Sequence, residues 1–455
     1  MNTLGYQKAF YNQRQLERAM FDVDRARTRI VAAIWVYFLL VLFDGALRKW
    51  FLPSLSAPLL ILRDPVALWI LIAACRRGFM KWNQYNVSII VIGVLAIYIA
   101  FFIGHGDLRI AIYGARIFLL HFPVIFVIGV VLNKNDLLNI ARWTVLICIP
   151  MTMLIVVQFY SPQSAWINKT VGGEAGGGFS GAMNYYRPPG TFSFTNGTSL
   201  FYSLATCFII YFWFNFKEIN RFLLFAGSIA LLIAIPISIS RTLLFQVVIS
   251  LGFAIIAITR NPKYIGGLIM VATAIFLTFI VLSFTPYFTI ATTAFLSRFD
   301  SANTIEGGLN GVLMDRFLGG LIQAIALSSN QPFFGYGIGM GTNVGSMLLT
   351  GGRQFLISEG EWGRIIGELG PIGGLTIIFF RLKLALSMLV NSFNKLTLGI
   401  IMPWILASAG ALSIAQAGWA QPTSLGFCVV ICGFLLASLQ HGERQRLGAA
   451  LSHTK

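Results

Sequence analysis

Hydrophobic residues along this chain gather in long runs separated by polar connections. A helix needs about 20 apolar residues to cross the hydrocarbon of a bilayer. Runs of that kind lie near 30–47, 57–75, 86–104, 108–132, 137–160, 196–216, 222–239, 242–259, 264–284, 362–380, 397–415 and 423–439. The pattern predicts an all-α polytopic membrane protein with about twelve transmembrane helices. The seventh and eighth runs are separated by almost nothing but Ser240 and Arg241, which predicts a helical hairpin with Arg241 at its tip.

The polar connections predict an orientation. With twelve spans both termini share one side, together with the short connections at 76–85, 133–136, 217–221, 260–263 and 381–396. Of the 33 basic residues, 21 fall on that side, which the positive-inside bias makes cytoplasmic. Residues 1–28 then form a cytoplasmic tail, since they lack the apolar core and cleavage pattern of a signal peptide. Residues 29–440 form the bundle and 441–455 a second cytoplasmic tail. Two long connections lie on the opposite side. One, 161–195, is rich in glycine; the other, 285–361, joins spans 9 and 10 and contains apolar pieces such as 312–328, so it is expected to be a large, partly helical loop. Loops longer than roughly 15 residues are commonly functional.

Composition sharpens this picture. The chain is 57% hydrophobic and 11% charged, against roughly 25% charge in soluble proteins. In a soluble protein the net charge of +17 would point to nucleic acid; here its placement follows membrane topology. The 12 basic residues of the opposite side are ten arginines and only two lysines, Lys49 and Lys169. Arginine's planar fork of donors suits phosphate oxygens, so this bias favours an anionic substrate. The five cysteines lie in or beside apolar runs with no C-x-x-C spacing, and the four histidines form no cluster, so no metal site is expected.

Charges placed in or against a bilayer are functional candidates. Arg109 and Arg116, seven apart, share one helix face about 10 Å apart along the axis; they serve either an anionic substrate or ion pairs with Asp107 and Asp64. Arg241, at the outer membrane–water boundary, serves either to snorkel to water or to bind a lipid-linked phosphate at headgroup depth. Arg187 opens Arg187-Pro188-Pro189-Gly190-Thr191-Phe192, whose prolines stiffen the approach to the sixth span, with Asn196 and Thr198 as candidate caps. After the large loop comes Ser358-Glu359-Gly360-Glu361-Trp362-Gly363-Arg364, then Glu368-Leu369-Gly370. On a helix Glu361, Arg364 and Glu368 share a face. A carboxylate there is a candidate proton acceptor, and a Glu–Arg–Glu ladder is the structural alternative. Upstream, the alternating glycines from Gln331 to Gly341 permit close backbone approach but do not match a nucleotide-binding fingerprint.

In these stretches, over about 160–380, the chain resembles the O-antigen ligase and Wzy-type polysaccharide polymerase family. The matching stretches are Arg187 to Phe192, Ser240-Arg241, Gln331 to Gly341, and Glu368-Leu369-Gly370, in that order. Where many members carry His-Asn, this chain has Glu359-Gly360, so a carboxylate takes the place of the histidine base, with Glu359 or Glu361 as candidates. The resemblance implies a metal-independent, cofactor-free glycosyltransferase of the bacterial inner membrane. It would polymerise undecaprenyl-diphosphate-linked repeat units at the periplasmic face, for exopolysaccharide or O-antigen. Catalysis would fall to Glu361, Glu359 and Arg241, and diphosphate binding to Arg187, Arg116, Arg109, Arg316, Arg353 and Arg364. Partners would be the lipid-linked glycan as donor and acceptor, membrane lipids, a chain-length regulator and a flippase, with no nucleic acid. The alternatives are a ligase with another acceptor and a secondary transporter of a small anion. Residues 44–65 match none of these motifs.

Overall fold

The computed structural model describes residues 3–305, 319–352 and 355–453. With breaks at 62–63 and 398–401, helices cover most of each of the twelve apolar runs. In chain order these are α1 (Thr3–Ala46), α2 (Asp64–Arg76), α3 (Gln84–Phe102), α4 (Leu108–Arg116) continued through a π-turn into α5 (Phe122–Val131), α6 (Lys134–Tyr160), α7 (Thr195–Phe214), α8 (Arg221–Ile237), α9 (Arg241–Arg260) and α10 (Ile265–Ser283). Then come α11 (Pro286–Ile305), α12 (Gly320–Ala326), α13 (Asn343–Thr350), α14 (Glu361–Thr397), α15 (Met402–Gln416) and α16 (Pro422–His453). Among the described residues nine helices are long and apolar enough to cross a membrane. A tenth arises if Phe276–Ser283 and Pro286–Asp300, bent by 105°, count as one. The protein is an all-α, multi-pass membrane protein.

Polar residues set where the helices start. Asn133 and Asp136 form a reciprocal capping box at α6, while Asn83, Asp107, Asn220 and Ser240 each accept backbone N–H bonds at the first turns of α3, α4, α8 and α9. The bundle is organised around α7, whose residues are almost all buried and which touches α6, α8, α9, α10, α15 and α16. Close packing uses small residues where lipid gives no hydrophobic drive between helices. Gly129 of α5 lies on Leu436 of α16, and Gly433 of α16 lies on Ile128.

Four features depart from expectation. First, α14 is not a straight span over 362–380. Gly370 has φ 73° and ψ 172°, and Pro371 follows it. Proline removes a helix N–H and clashes with the preceding turn, and only glycine takes this backbone conformation cheaply. The arms 361–369 and 371–397 fold back on each other, with Gly374 against the backbone of Ile366. A straight helix would separate Glu361 and Arg381 by about 30 Å; here Arg381 Nη1 lies 2.7 Å from Glu361 Oε1. Arg381 therefore belongs to the buried bundle and not to the basic connection 381–396.

Second, the glycine stretch docks on that break. The carbonyls of Gly367 and Glu368, freed by the kink, accept from Tyr336 N (2.8 Å) and Gly337 N (3.1 Å). Gly335, Gly337 and Gly339 all have positive φ, and a Cβ on any of them would strike neighbouring backbone or side chain. Third, the 161–195 connection contains a hairpin of β1 (Phe179–Ala182) and β2 (Tyr185–Arg187). Its two-residue turn, Met183 and Asn184, takes positive φ at both positions, as a type I′ turn requires. Fourth, Asn196 and Thr198 do not cap α7, which starts at Thr195 after Phe194 without a side-chain cap. Thr198 Oγ1 donates to the Pro188 carbonyl instead, and Asn196 reaches across to α16.

Candidate active site

The two long connections meet over a cavity of about 760 Å³ among the ends of α7, α9, α12, α14, α15 and α16. Arg187, Arg241, Glu359 and Glu361 all line it, with Asn196, Ser199, Gln246, Gln331 and Ser424 among the polar groups and Phe245, Leu327, Trp362 and Ile366 among the apolar ones.

Arg241 is the first residue of α9, and little in its surroundings is free to move. Ser240 accepts from Leu243 N (3.3 Å) and pairs with Ser199 Oγ at 2.7 Å. Ser238 Oγ donates to the Ile235 carbonyl. Between the serines Ile239, fully buried, holds φ at 45°, a left-handed conformation costly for a β-branched residue. Such strain persists only where the surroundings over-determine it, and it marks functional turns. The positive end of the α9 dipole and the Arg241 guanidinium thus meet at one wall of the cavity, an arrangement that attracts anions.

Arg187 ends β2, and the six residues after it are strapped down from below. Gly190 donates to Gln158 Oε1 (2.8 Å) and accepts from Lys49 Nζ (2.5 Å) and Gln158 Nε2 (3.2 Å). Thr191 Oγ1 donates to the Leu42 carbonyl (2.5 Å), and Arg48 Nη1 to Ser193 Oγ (3.1 Å). Gly45 lies so close under Thr191 and Ser193 that a Cβ would collide with their backbone. Residues 42–49 are therefore the cradle of the Arg187 loop. This gives a role to part of a stretch that matches no motif.

The predicted Glu–Arg–Glu ladder is present and larger than expected. Arg364 donates to Glu361 from Nε and Nη2 (both 2.9 Å) and to Glu368 from Nη1 (2.5 Å). Glu368 Oε1 also accepts from Gly341 N at 2.9 Å. Arg381 adds its 2.7 Å bond to Glu361, spends its other donors on the Ile414 and Ala417 carbonyls, and stacks over Trp419 at 4.0 Å. The oxygens of Glu361 thus already hold three guanidinium bonds. Glu359, two residues earlier, is exposed to the cavity and its carboxylate makes no hydrogen bond or ion pair among the described residues.

The remaining candidates lie elsewhere. Arg116 Nη1 bonds both oxygens of Asp64 at 2.8 Å and its guanidinium sits over the Tyr113 ring. His121 Nε2 also bonds Asp64 (2.9 Å), and its Nδ1 pairs with Tyr37 Oη at 3.0 Å. Arg109 is 77% exposed and pairs with Asp107 at 2.8 Å; its hydrogen bonds pull the Asp107 carboxyl down to about 2. Neither arginine lines the cavity. Arg364 sits behind Glu361 as its anchor. Arg316 and Arg353 lie outside the described residues.

Some residues of this end escaped the sequence pattern: Ser199, Gln421, Ser424 and Arg381. The Gly370-Pro371 pair, a common breaker, was the signal that would have brought Arg381 inside. No protein-family model matches the chain, and no curated protein matches it.

Chemically, the cavity joins a cationic wall to a carboxylate that has no partner among the described residues, within a volume typical of small-molecule sites, roughly 300–1,000 Å³. It is equipped to hold a phosphorylated group and to accept a proton beside it.

Proposed function

We propose that this chain is a membrane glycosyltransferase that polymerises undecaprenyl-diphosphate-linked repeat units at the periplasmic face of a bacterial inner membrane. In this reading twelve helices cross the membrane, both termini are cytoplasmic, and the cavity opens on the periplasmic side. One observation carries it: Arg187, Arg241 and Glu359, whose carboxylate has no partner among the described residues, line a single cavity where the two long connections meet. The motif order from Arg187 to Gly370 supports the same conclusion.

Arg241 and Arg187 bind the diphosphate of the donor. The bond from the anomeric carbon to the diphosphate oxygen breaks, and its electron pair leaves with the diphosphate, whose growing charge the two guanidinium groups stabilise. A hydroxyl of the acceptor sugar forms the new bond to that carbon, and its proton passes to Glu359. Glu359 is the better base because its lone pairs are open, whereas Glu361 anchors the two arms of α14. Holding both substrates on one membrane-embedded frame supplies proximity. A flippase delivering lipid-linked units and a chain-length regulator are the partners this activity calls for.

The test is purified protein in nanodiscs with synthetic undecaprenyl-diphosphate-linked repeat units, read on a gel. A ladder of products is expected. One transferred block and no ladder would make it a ligase. No transfer, together with anion flux in vesicles, would make it a transporter.

A further inference from the structure

A second cavity, of about 540 Å³, lies beside the first. Asn196 lines both; Gln421 lines the second and Ser424 the first. Asn196 Nδ2 donates to Gln421 Oε1 (2.7 Å) and to Ser424 Oγ (2.8 Å), while its Oδ1 is buried with no hydrogen-bond partner among the described residues. The two cavities are thus divided at this point by one layer of small polar side chains. Such a partition can exchange its hydrogen bonds for those of a ligand hydroxyl at little cost.

We propose that the second cavity holds the sugar end of the acceptor glycan, whose terminal hydroxyl meets the donor at the Asn196–Gln421–Ser424 partition. The inference rests on the polymerase reading and adds the place of the second substrate. The walls of the two cavities differ in the way two substrates would require. The first carries Arg187 and Arg241 for a diphosphate. In the second the basic side chain among the described residues is Arg48, which donates to Ser56 O at 2.8 Å and to Ser193 Oγ at 3.1 Å. What the second cavity offers instead is the rings of Tyr113, Phe179 and Phe194 beside Glu174 and Asn343. Ring faces against C–H surfaces, with carboxylate and amide groups at the edge, suit a neutral sugar.

The glycine-rich stretch after α6 finds its place here too. Thr170 N donates to the Glu174 carbonyl (2.9 Å) and Gly172 N to the Arg48 carbonyl (3.3 Å). Gly172 and Gly173 both take positive φ, so the segment curls into a tight turn that brings Glu174 to the wall. At the partition the acceptor oxygen bonds the anomeric carbon, the diphosphate leaves with its electron pair, and the hydroxyl proton goes to Glu359.

The experiment separates the two substrates. Labelled lipid-diphosphate repeat unit is the donor, and a reducing-end-capped repeat oligosaccharide, which has no diphosphate, serves only as acceptor. Val344→Trp fills the second cavity and is expected to raise the acceptor KM at least tenfold with the donor KM within twofold. Asn343→Ala, which removes only a wall amide, is expected to raise the acceptor KM severalfold. An acceptor KM unchanged in both variants overturns the inference, as does a rise in donor KM instead. Wild-type protein that builds a ladder yet never uses the capped acceptor overturns it as well, because recognition then lies in the lipid. If Val344→Trp fails to fold, Asn343→Ala decides. Wild-type protein that builds no ladder removes the polymerase reading itself, and the inference with it.

Discussion

Two regions of this protein carry arginines that look alike in sequence and behave differently in the fold. Around Asp64 the charges are closed on one another: Arg116 holds both carboxylate oxygens, His121 adds a third contact, and Tyr37 holds the far side of the imidazole. Around Glu359 they border a large void: Arg187, Arg241 and the carboxylate line one cavity. Both regions lie among membrane helices, where charges are costly and usually functional. What separates a clamp from a candidate site is the space beside the charge and whether a carboxylate is left over, neither of which residue type reveals.

The largest expected effect breaks the comparison at its open end. Glu359→Gln should lower glycan transfer about 10²–10⁴-fold, the range of a lost general base. Glu361→Gln should instead lower the melting temperature, because Arg364 and Arg381 lose the negative charge and one of its two acceptor oxygens. The reverse pattern, measured by single-turnover transfer and thermal unfolding in nanodiscs, would exchange their roles.

Arg241→Ala should come next, with transfer down about 10²–10³-fold, as for a lost donor to a charge that develops in the transition state. The protein should stay in the membrane and melt normally. Arg241→Lys should recover only part, since an ammonium lacks the planar fork. Normal polymer length from Arg241→Ala cells would remove this residue from the site.

At the closed end the effect should move from activity to stability. Arg116→Met leaves the half-buried Asp64 with His121 alone, so the loss should fall below the about 3–5 kcal/mol of fully buried pairs. Transfer per folded molecule should change little. The double substitution Arg116→Met with Asp64→Leu should regain most of the melting temperature, because it leaves no unpaired charge behind.

The smallest effect is expected at Arg109 and Asp107, an exposed pair. Arg109→Ala should leave melting and transfer unchanged from pH 5 to 9. The sign follows from the lowered Asp107 carboxyl: any stability it adds is complete above about pH 4 and is lost only as pH falls toward 2. A pH-dependent change in transfer inside the assay range would place Arg109 in the chemistry after all.

Much of the helical content was legible because run length alone reports it: helix covers most of each apolar run, and nine helices among the described residues are long and apolar enough to cross a membrane. The Ser240-Arg241 tip and the Glu361–Arg364–Glu368 ladder were legible because short-range spacing fixes which side chains meet. Other features were hidden for physical reasons. Asp64 and Arg116 pair across 52 positions, a distance no local pattern spans. The cradle at 42–49 works largely through backbone carbonyls and a missing Cβ, which leave little trace in residue type. The fold-back of α14 was written in Gly370-Pro371, but the apolar residues on either side read as one continuous span.

The contact between 335–341 and 367–370 is made largely of main chain against main chain. It has almost no side chains that could be traded for others of different size, so its geometry is indifferent to the chemistry of its surroundings. Cavity walls such as Phe245, Leu327 or Asn343 stand outside it and are replaceable one at a time. If the proposed function holds, a lineage built on this framework would be free to change which sugar it joins, and by which hydroxyl, without rebuilding the support beneath its cavity.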